Sequence, residues 1–228
     1  MKILLFDIDG TLLLTGGSGA RAMTRAFYEL FGVENGLQGI TLSGMTDPVI
    51  FRNACIQAGI EPEENAHEQF KRLYLTYLKE EISKDHSQKR MLPGVKPLLQ
   101  RLSQKPDIHL GLLTGNYQEG ARIKLSHFDL DHFFGFGAYG DDHADRNRLV
   151  PVALQRFTEK TGFPPNGSTV WVIGDTPRDV ACAKPYGAKT LAVATGHYDE
   201  KSLQNAEADV VVSDLADTEK ILTVFENS

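Results

Sequence analysis

Five short, unbroken apolar runs constrain this chain most: "KILLF" (2–6), "IHLGLLT" (108–114), "STVWVIG" (168–174), "KTLAVAT" (189–195) and "ADVVVSD" (208–214). They are strand-length and do not alternate apolar with polar, the pattern of strands covered on both faces in a parallel sheet. Helix-length segments near 117–127, 147–161, 176–184 and 214–225 fall between and after the later runs. Strand alternating with helix predicts a doubly wound α/β domain.

The first interval breaks that rhythm. About ninety residues separate the first two runs, and only helical patterns are read there. "ARAMTRAFYELFG" (20–32) stops at Gly32, "TDPVIFRNACIQAG" (46–59) has Pro48 early and Gly59 last, and "PEENAHEQFKRLYLTYLKEEI" (62–82) opens with acidic residues. These are ordinary helix start and stop signals. The expectation is an α-helical domain at 16–87 inserted into an α/β core formed by 1–15 and 88–228. "TGGSG" (15–19) and "SKDHSQKRMLPG" (83–94) would be its linkers. "TGGSG" lacks both the Lys-Ser/Thr and the glycine spacing of a nucleotide loop, so it reads as a hinge.

What the ligand can be is narrowed by charge. A formal net charge of −6 argues against nucleic acid or an anionic membrane as partner. An anionic ligand would have to be met by local positive charge or a metal. Cys55 and Cys182 lack metal-ligand spacing and read as free thiols. "MKILLF" is too short for a signal-peptide apolar region before Asp7, and no later run approaches a membrane span, so a cytoplasmic protein is expected.

Ligands of open parallel sheets bind beyond the carboxyl ends of the strands. Asp7, Asp9 and Thr11 follow the first run, Thr114–Gly115–Asn116 end the second, and "DTPRD", with Asp175 and Asp179, follows the third. Turn chemistry explains any one cluster; three at one sheet edge converge on a point. Asp7, Asp9 and Asp175 offer hard oxygen ligands without His or Cys, which suits Mg²⁺. Thr114, Gly115 and Asn116, before a helix, offer an anion site. One carboxylate could attack phosphorus while another passes a proton to the leaving group.

"FDIDGT", "LLTGN" and "IGDTPRD" together resemble the first, second and fourth motifs of the haloacid-dehalogenase-like phosphohydrolase superfamily, and the helical insert resembles its type 1 cap. The resemblance spans essentially the whole chain. It implies a Mg²⁺-dependent phosphatase acting on a small phosphorylated metabolite. Asp7 would be the nucleophile that forms an aspartyl-phosphate. Asp9 would protonate the leaving oxygen, then activate water, with its backbone carbonyl on Mg²⁺. Thr114, Gly115, Asn116 and Thr11 would serve the substrate, and Asp175 would complete the metal site with Asp179 in support.

The third motif departs from the family pattern. Where a Lys is usual, "DDHADRNRLVPVALQRF" carries Arg146 and Arg148; Arg146 fits the position best, though both could balance neighbouring aspartates on a solvated loop. An Arg there could bridge phosphate and nucleophile through two donors. His132 and His143 match no ligand spacing. "SGMTD" (43–47) lies where such caps carry substrate contacts, so Thr46 and Asp47 are candidates, with an ordinary helix cap as the alternative. "VATGHYDEKSL" (193–203) loosely resembles phosphoglycolate-phosphatase-like members. Within the resemblance, Asp9 disfavours a dehalogenase, whose halide needs no proton, and phosphonoacetaldehyde hydrolases, which typically replace that Asp. A phosphomutase, or a non-catalytic module that binds a phosphate ligand, remains an alternative.

Overall fold

The computed structural model describes residues 1–165 and 170–227. Its elements run β1 (Lys2–Phe6), β2 (Leu13–Thr15), α1 (Ser18–Phe31), α2 (Asp47–Ala58), α3 (Ala66–Ser83), β3 (Lys89–Met91), α4 (Val95–Ser103), β4 (Ile108–Leu113) and α5 (Gln118–His127). There follow β5 (Phe136–Ala138), α6 (Leu149–Thr161), β6 (Val170–Gly174), α7 (Pro177–Ala183), β7 (Lys189–Val193), α8 (Glu200–Asn205), β8 (Val210–Val212) and α9 (Thr218–Glu226). Six strands form one parallel sheet in the order β5-β4-β1-β6-β7-β8. β1 is central, and the order reverses around it. The fold is thus the expected doubly wound α/β core with an α-helical insertion.

Alternation along β1 builds both faces. Leu4 and Phe6 pack with Leu98, Leu102, Leu125 and Phe225 from α4, α5 and α9. Ile3 and Leu5 pack on the other face with Leu149, Ala153, Phe157 and Ala183 from α6 and α7. A strand buried on both sides has no solvent face to mark with polar residues, which is why its run reads as continuous.

The three inserted helices have their own core. Ala22, Met23, Ala26 and Phe27 on α1 meet Ile50, Phe51 and Ala54 on α2 and Phe70, Tyr74 and Leu78 on α3. Full burial of Phe27 alone is worth about 2–3 kcal/mol. α1 and α2 end on Gly32 and Gly59 in left-handed conformation, as the stop signals predict.

Two expectations change here. The first interval is not purely helical: β2 and β3 pair antiparallel, with Leu13 opposite Met91 and Thr15 opposite Lys89. The proposed 83–94 linker therefore contains a strand. Three-residue strands paired across more than seventy positions leave no local periodicity. Also, α4, β5 and α8 stand where the sequence pattern predicts no element. Ser168 and Thr169, assigned above to a strand, lie outside the described residues. Gly16 and Gly17 have φ of +62° and +81°, a left-handed bend between β2 and α1 that residues with a Cβ rarely adopt.

Candidate active site

β1, β4 and β6 are neighbours, so the residues just past their carboxyl ends must meet. Asp7 extends β1 by donating its N–H to Ile173 O at 2.9 Å, and Thr114 N–H donates to Ala138 O at 3.1 Å. A cavity of about 580 Å³ opens there, walled by Asp7, Asp9, Thr114, Asn116, Arg146 and Asp175 from the core and closed over by α1, α2 and α3 residues.

Asp7, Asp175 and Asp179 form the acidic centre: one carboxylate oxygen of each lies within 4.8 Å of the others. All three are buried. Burial pushes the Asp7 carboxyl above its usual range, with Asp179 and Asp9 adding to the rise and Arg146 opposing it. Asp175 is raised likewise, by burial first and then by Asp179 and Asp7. The approach is close: a Cβ on Gly10, at φ +82°, or on Gly196 would strike the Asp175 carboxylate. Buried carboxylates this crowded, with hard oxygens only, fit a small divalent cation. Asp7 and Asp175 are free to hold it. Asp179 is committed, because its Oδ2 accepts from Thr176 N–H (3.0 Å) and Thr176 Oγ1 (2.7 Å) in a capping box of α7, while its Oδ1 pairs with Arg146.

Arg146 lies in a 3-10 turn just ahead of α6. Its Nη2 sits 3.3 Å from Asp7 Oδ2, donates to Leu113 O at 3.2 Å and pairs with Asp179. Burial works against its charge, but Asp179 and Asp7 outweigh that and hold the guanidinium protonated. Its Nε is buried and has no hydrogen-bond partner among the described residues. Arg148, two residues on, is exposed. His132 and His143 are exposed as well.

Asp9 faces a different environment. Its Oδ2 accepts from Lys124 Nζ at 2.6 Å and from Asn116 Nδ2 at 2.9 Å. The Asn116 amide also donates to Thr114 Oγ1 (2.8 Å) and accepts from Lys124 (2.6 Å). Asn116 is therefore tied into a side-chain network that links Thr114 to Asp9. Gly115 serves packing: its carbonyl accepts from Asp47 N–H at 2.8 Å, and a Cβ there would strike the Met45 carbonyl. Thr11 does not line the cavity; its hydroxyl reaches Asp175 Oδ1 at 3.4 Å.

The "SGMTD" stretch meets the core here. Thr46 occupies the N-cap position of α2 without a side-chain capping bond, and its hydroxyl donates to Ala144 O at 2.7 Å, off the cavity wall. Asp47 does line the cavity, and its Oδ2 accepts from Tyr117 N–H at 2.8 Å. Burial pushes its carboxyl up to about 7.

Lys124 was missed by the sequence reading, as was Tyr74, which also lines the cavity. The signal for Lys124 was available: Tyr117, Ala121 and Lys124 share a buried stripe that runs along α5 to its last turn, and a lysine there is out of place unless it is paired. Thr195, Gly196 and His197, from the "VATGHYDEKSL" stretch, also reach the wall.

Among the described residues no helix is long and apolar enough to cross a membrane. The profile of haloacid dehalogenase-like hydrolases matches residues 4–193. A phosphoglycolate phosphatase from Pseudomonas savastanoi pv. phaseolicola is 27% identical over 221 residues, covering 94% of this chain and 77% of its own. One from Aliivibrio fischeri is 25% identical, covering 92% of both. The crystal structure of a predicted phosphoglycolate phosphatase from Haemophilus somnus 129PT superposes with a TM-score of 0.72 at 23% identity, over 97% of this chain and 98% of that one. A putative β-phosphoglucomutase from Thermotoga maritima shares the fold at a TM-score of 0.65 and 23% identity, over 98% and 99%. With the match spanning most of the sheet and all of the insertion, this chain belongs to the haloacid dehalogenase-like hydrolases.

Proposed function

We propose that this enzyme, a phosphoric monoester hydrolase, cleaves a small phosphate monoester through an aspartyl-phosphate on Asp7, with Mg²⁺ as cofactor. The observation that carries this is the unequal treatment of two carboxylates two residues apart. Asp7 is buried with Arg146 against it, whereas Asp9 is partly exposed in the cavity and held by Lys124 and Asn116. Arg146 beside Asp7 favours the anion that a nucleophile must be, and Asp9, nearer the open cavity, is placed to exchange a proton with a leaving group or with water.

In this reading, residues 16–87 form the cap over the site, and the cytoplasm is its setting, in line with two buried free thiols. Arg146 gathers the phosphoryl oxygens and keeps the Asp7 carboxylate anionic. Thr114 Oγ1, which accepts from Asn116, keeps its own proton to donate to a phosphoryl oxygen. Asp7 attacks phosphorus as Asp9 protonates the departing oxygen. Asp9, now ionised, takes a proton from the water that attacks the acyl phosphate, and Asp7 is regenerated. Mg²⁺ held by Asp7 and Asp175 would neutralise phosphoryl charge. Thr46 is assigned to fastening α2 to the core, and Asp47 to the substrate side.

Mass spectrometry of protein quenched during turnover tests the reading. It should find a phosphoryl adduct on the peptide containing Asp7, absent from Asp7→Asn, whose turnover should fall by several orders of magnitude. Turnover retained in Asp7→Asn would exclude Asp7 as nucleophile. Isomerised sugar phosphate without net phosphate release would point to a phosphomutase instead. The phosphate ester named by the relatives, phosphoglycolate, is the first substrate to assay.

A further inference from the structure

One buried group at the cavity has no partner. Tyr74, on α3, is fully buried, yet its hydroxyl makes no hydrogen bond among the described residues. A buried hydroxyl left unsatisfied costs about 1–3 kcal/mol, so its position calls for an acceptor or a donor supplied from outside the chain. It lines the same cavity as Lys124. The two polar tips flank Gly19 on α1: a Cβ built on Gly19 would stand 3.5 Å from Lys124 Nζ and 3.9 Å from Tyr74 Oη. Lys124 has three N–H donors, and Asp9 and Asn116 account for two. A third donor and a free hydroxyl therefore share one pocket, next to the residue read as proton donor.

We propose that Tyr74 and Lys124 form the specificity-determining subsite for the leaving group, and that it takes an oxygen acceptor borne on the carbon adjacent to the ester carbon. The proposal rests on the phosphatase reading, because Asp9 locates the leaving oxygen. Two hydrogen bonds in series through the Asp9 carboxylate, leaving oxygen to Asp9 and Asp9 to Lys124, keep the ammonium within about 8 Å of the leaving oxygen. An oxygen one carbon beyond the ester carbon stands about 3–4 Å from the leaving oxygen, so a hydrogen bond of its own brings it within reach of the ammonium. The subsite offers donors to such a group, so it favours a carboxylate or a hydroxyl, is indifferent to a methyl, and opposes an ammonium. Asp47 lines the same cavity, with Oδ2 engaged by Tyr117 N–H, and it can accept from a hydroxyl held by the two donors. Phosphate esters of 2-hydroxy acids or of vicinal diols satisfy this chemistry.

The test compares kcat/KM for four esters of similar size: phosphoglycolate, ethylene glycol monophosphate, ethyl phosphate and aminoethyl phosphate, with Mg²⁺ present. At least one oxygen-bearing ester should exceed ethyl phosphate by tenfold or more, on the order expected of a matched polar site, with aminoethyl phosphate slowest. The carboxylate and diol arms tell which acceptor is preferred. In Tyr74→Phe, which keeps the aromatic core, the ratio of the favoured ester to ethyl phosphate should fall by about tenfold. Lys124→Met should lower the same ratio, and taking the ratio within one variant cancels any loss common to all esters. Equal rates on charged, hydroxylated and alkyl esters in the wild type, or an unchanged ratio in both variants, would overturn the subsite. If the wild type released phosphate from none of the four nor from an aryl phosphate, the phosphatase reading itself would fail, and the inference with it.

Discussion

The ammonium of Lys124 lies 2.6 Å from the Asp9 carboxylate and equally close to the Asn116 side-chain oxygen, so a residue of α5 holds a residue of the β1 loop. That contact fixes where the Asp9 oxygens point. Lys124→Met should therefore slow turnover of alkyl phosphates by about tenfold to a hundredfold, within the range that general acid–base groups contribute. Lys124→Arg should restore part of it. A purely structural lysine would instead change thermal stability and leave kcat alone; steady-state kinetics beside thermal unfolding separate the two.

Asp9→Asn should separate substrates by leaving group. An aryl phosphate departs with little protonation and should still transfer its phosphoryl group in a single turnover, while an alkyl phosphate should stall. Because the second half-reaction lacks its base, the Asp7 adduct should accumulate with the aryl substrate. Equal losses on both substrates in rapid-quench experiments would count against a proton-donor role.

Asp47 gives a pH dependence of stability with a defined sign. Burial raises its folded-state value to about 7, with Asp9 and Asp141 adding and Lys124 and the Tyr117 N–H opposing; the unfolded value is about 3.9. Between those values the folded chain holds a proton that the unfolded chain has lost. The Asp47 contribution to stability therefore falls as pH rises from about 4 to about 7 and levels off above. Asp47→Asn should remove that fall, gaining up to a few kcal/mol over the wild type at pH 8 and little at pH 4. Urea unfolding at both values checks it, and parallel wild-type and variant curves would mean Asp47 is ionised throughout.

Mg²⁺ should stabilise the protein as well as activate it. Asp7 and Asp175 both hold their protons more tightly than free carboxylates do, because burial and the neighbouring carboxylates outweigh the charge of Arg146. A cation must displace those protons, so the gain in melting temperature on adding Mg²⁺ should be larger at pH 8 than at pH 5.5. Asp175→Asn should abolish most of the gain, and EDTA should abolish turnover. A gain independent of pH would place the ion elsewhere.

How far the sequence reaches depends on whether a feature is local. β1, β4 and β7 are visible because each buries both faces, so five or six adjacent residues report the environment by themselves. Asp7, Asp9, Thr114 and Asp175 are visible because every one stands just past such a strand. Arg146 could be preferred to Arg148 only by its place ahead of the helix, since the folded chain alone turns one toward Asp7 and the other to solvent. Lys124 and Tyr74 were hidden for a different reason: each sits on an otherwise ordinary buried helix face, and its partners come from residues far away in the chain. β2 and β3 escaped because pairing between residues 13–15 and 89–91 is wholly non-local.

That small ribbon has a consequence for how the protein can change over time. Thr15 and Lys89 are register partners, so the chain leaves the core and returns to it at adjoining points. The chain passes between the six-stranded sheet and the intervening helices at this doorway, while the hydrogen bonds of Thr46 and Asp47 fasten those helices to the core. Lengthening a flexible intervening segment twofold costs only about 0.6 kcal/mol in closure entropy, and no sheet strand need shift to accommodate it. Changes of length among the intervening helices can thereby be absorbed without moving the strands that carry Asp7 and Asp175, while changes at Asp47 or Tyr74 reshape the cavity wall itself.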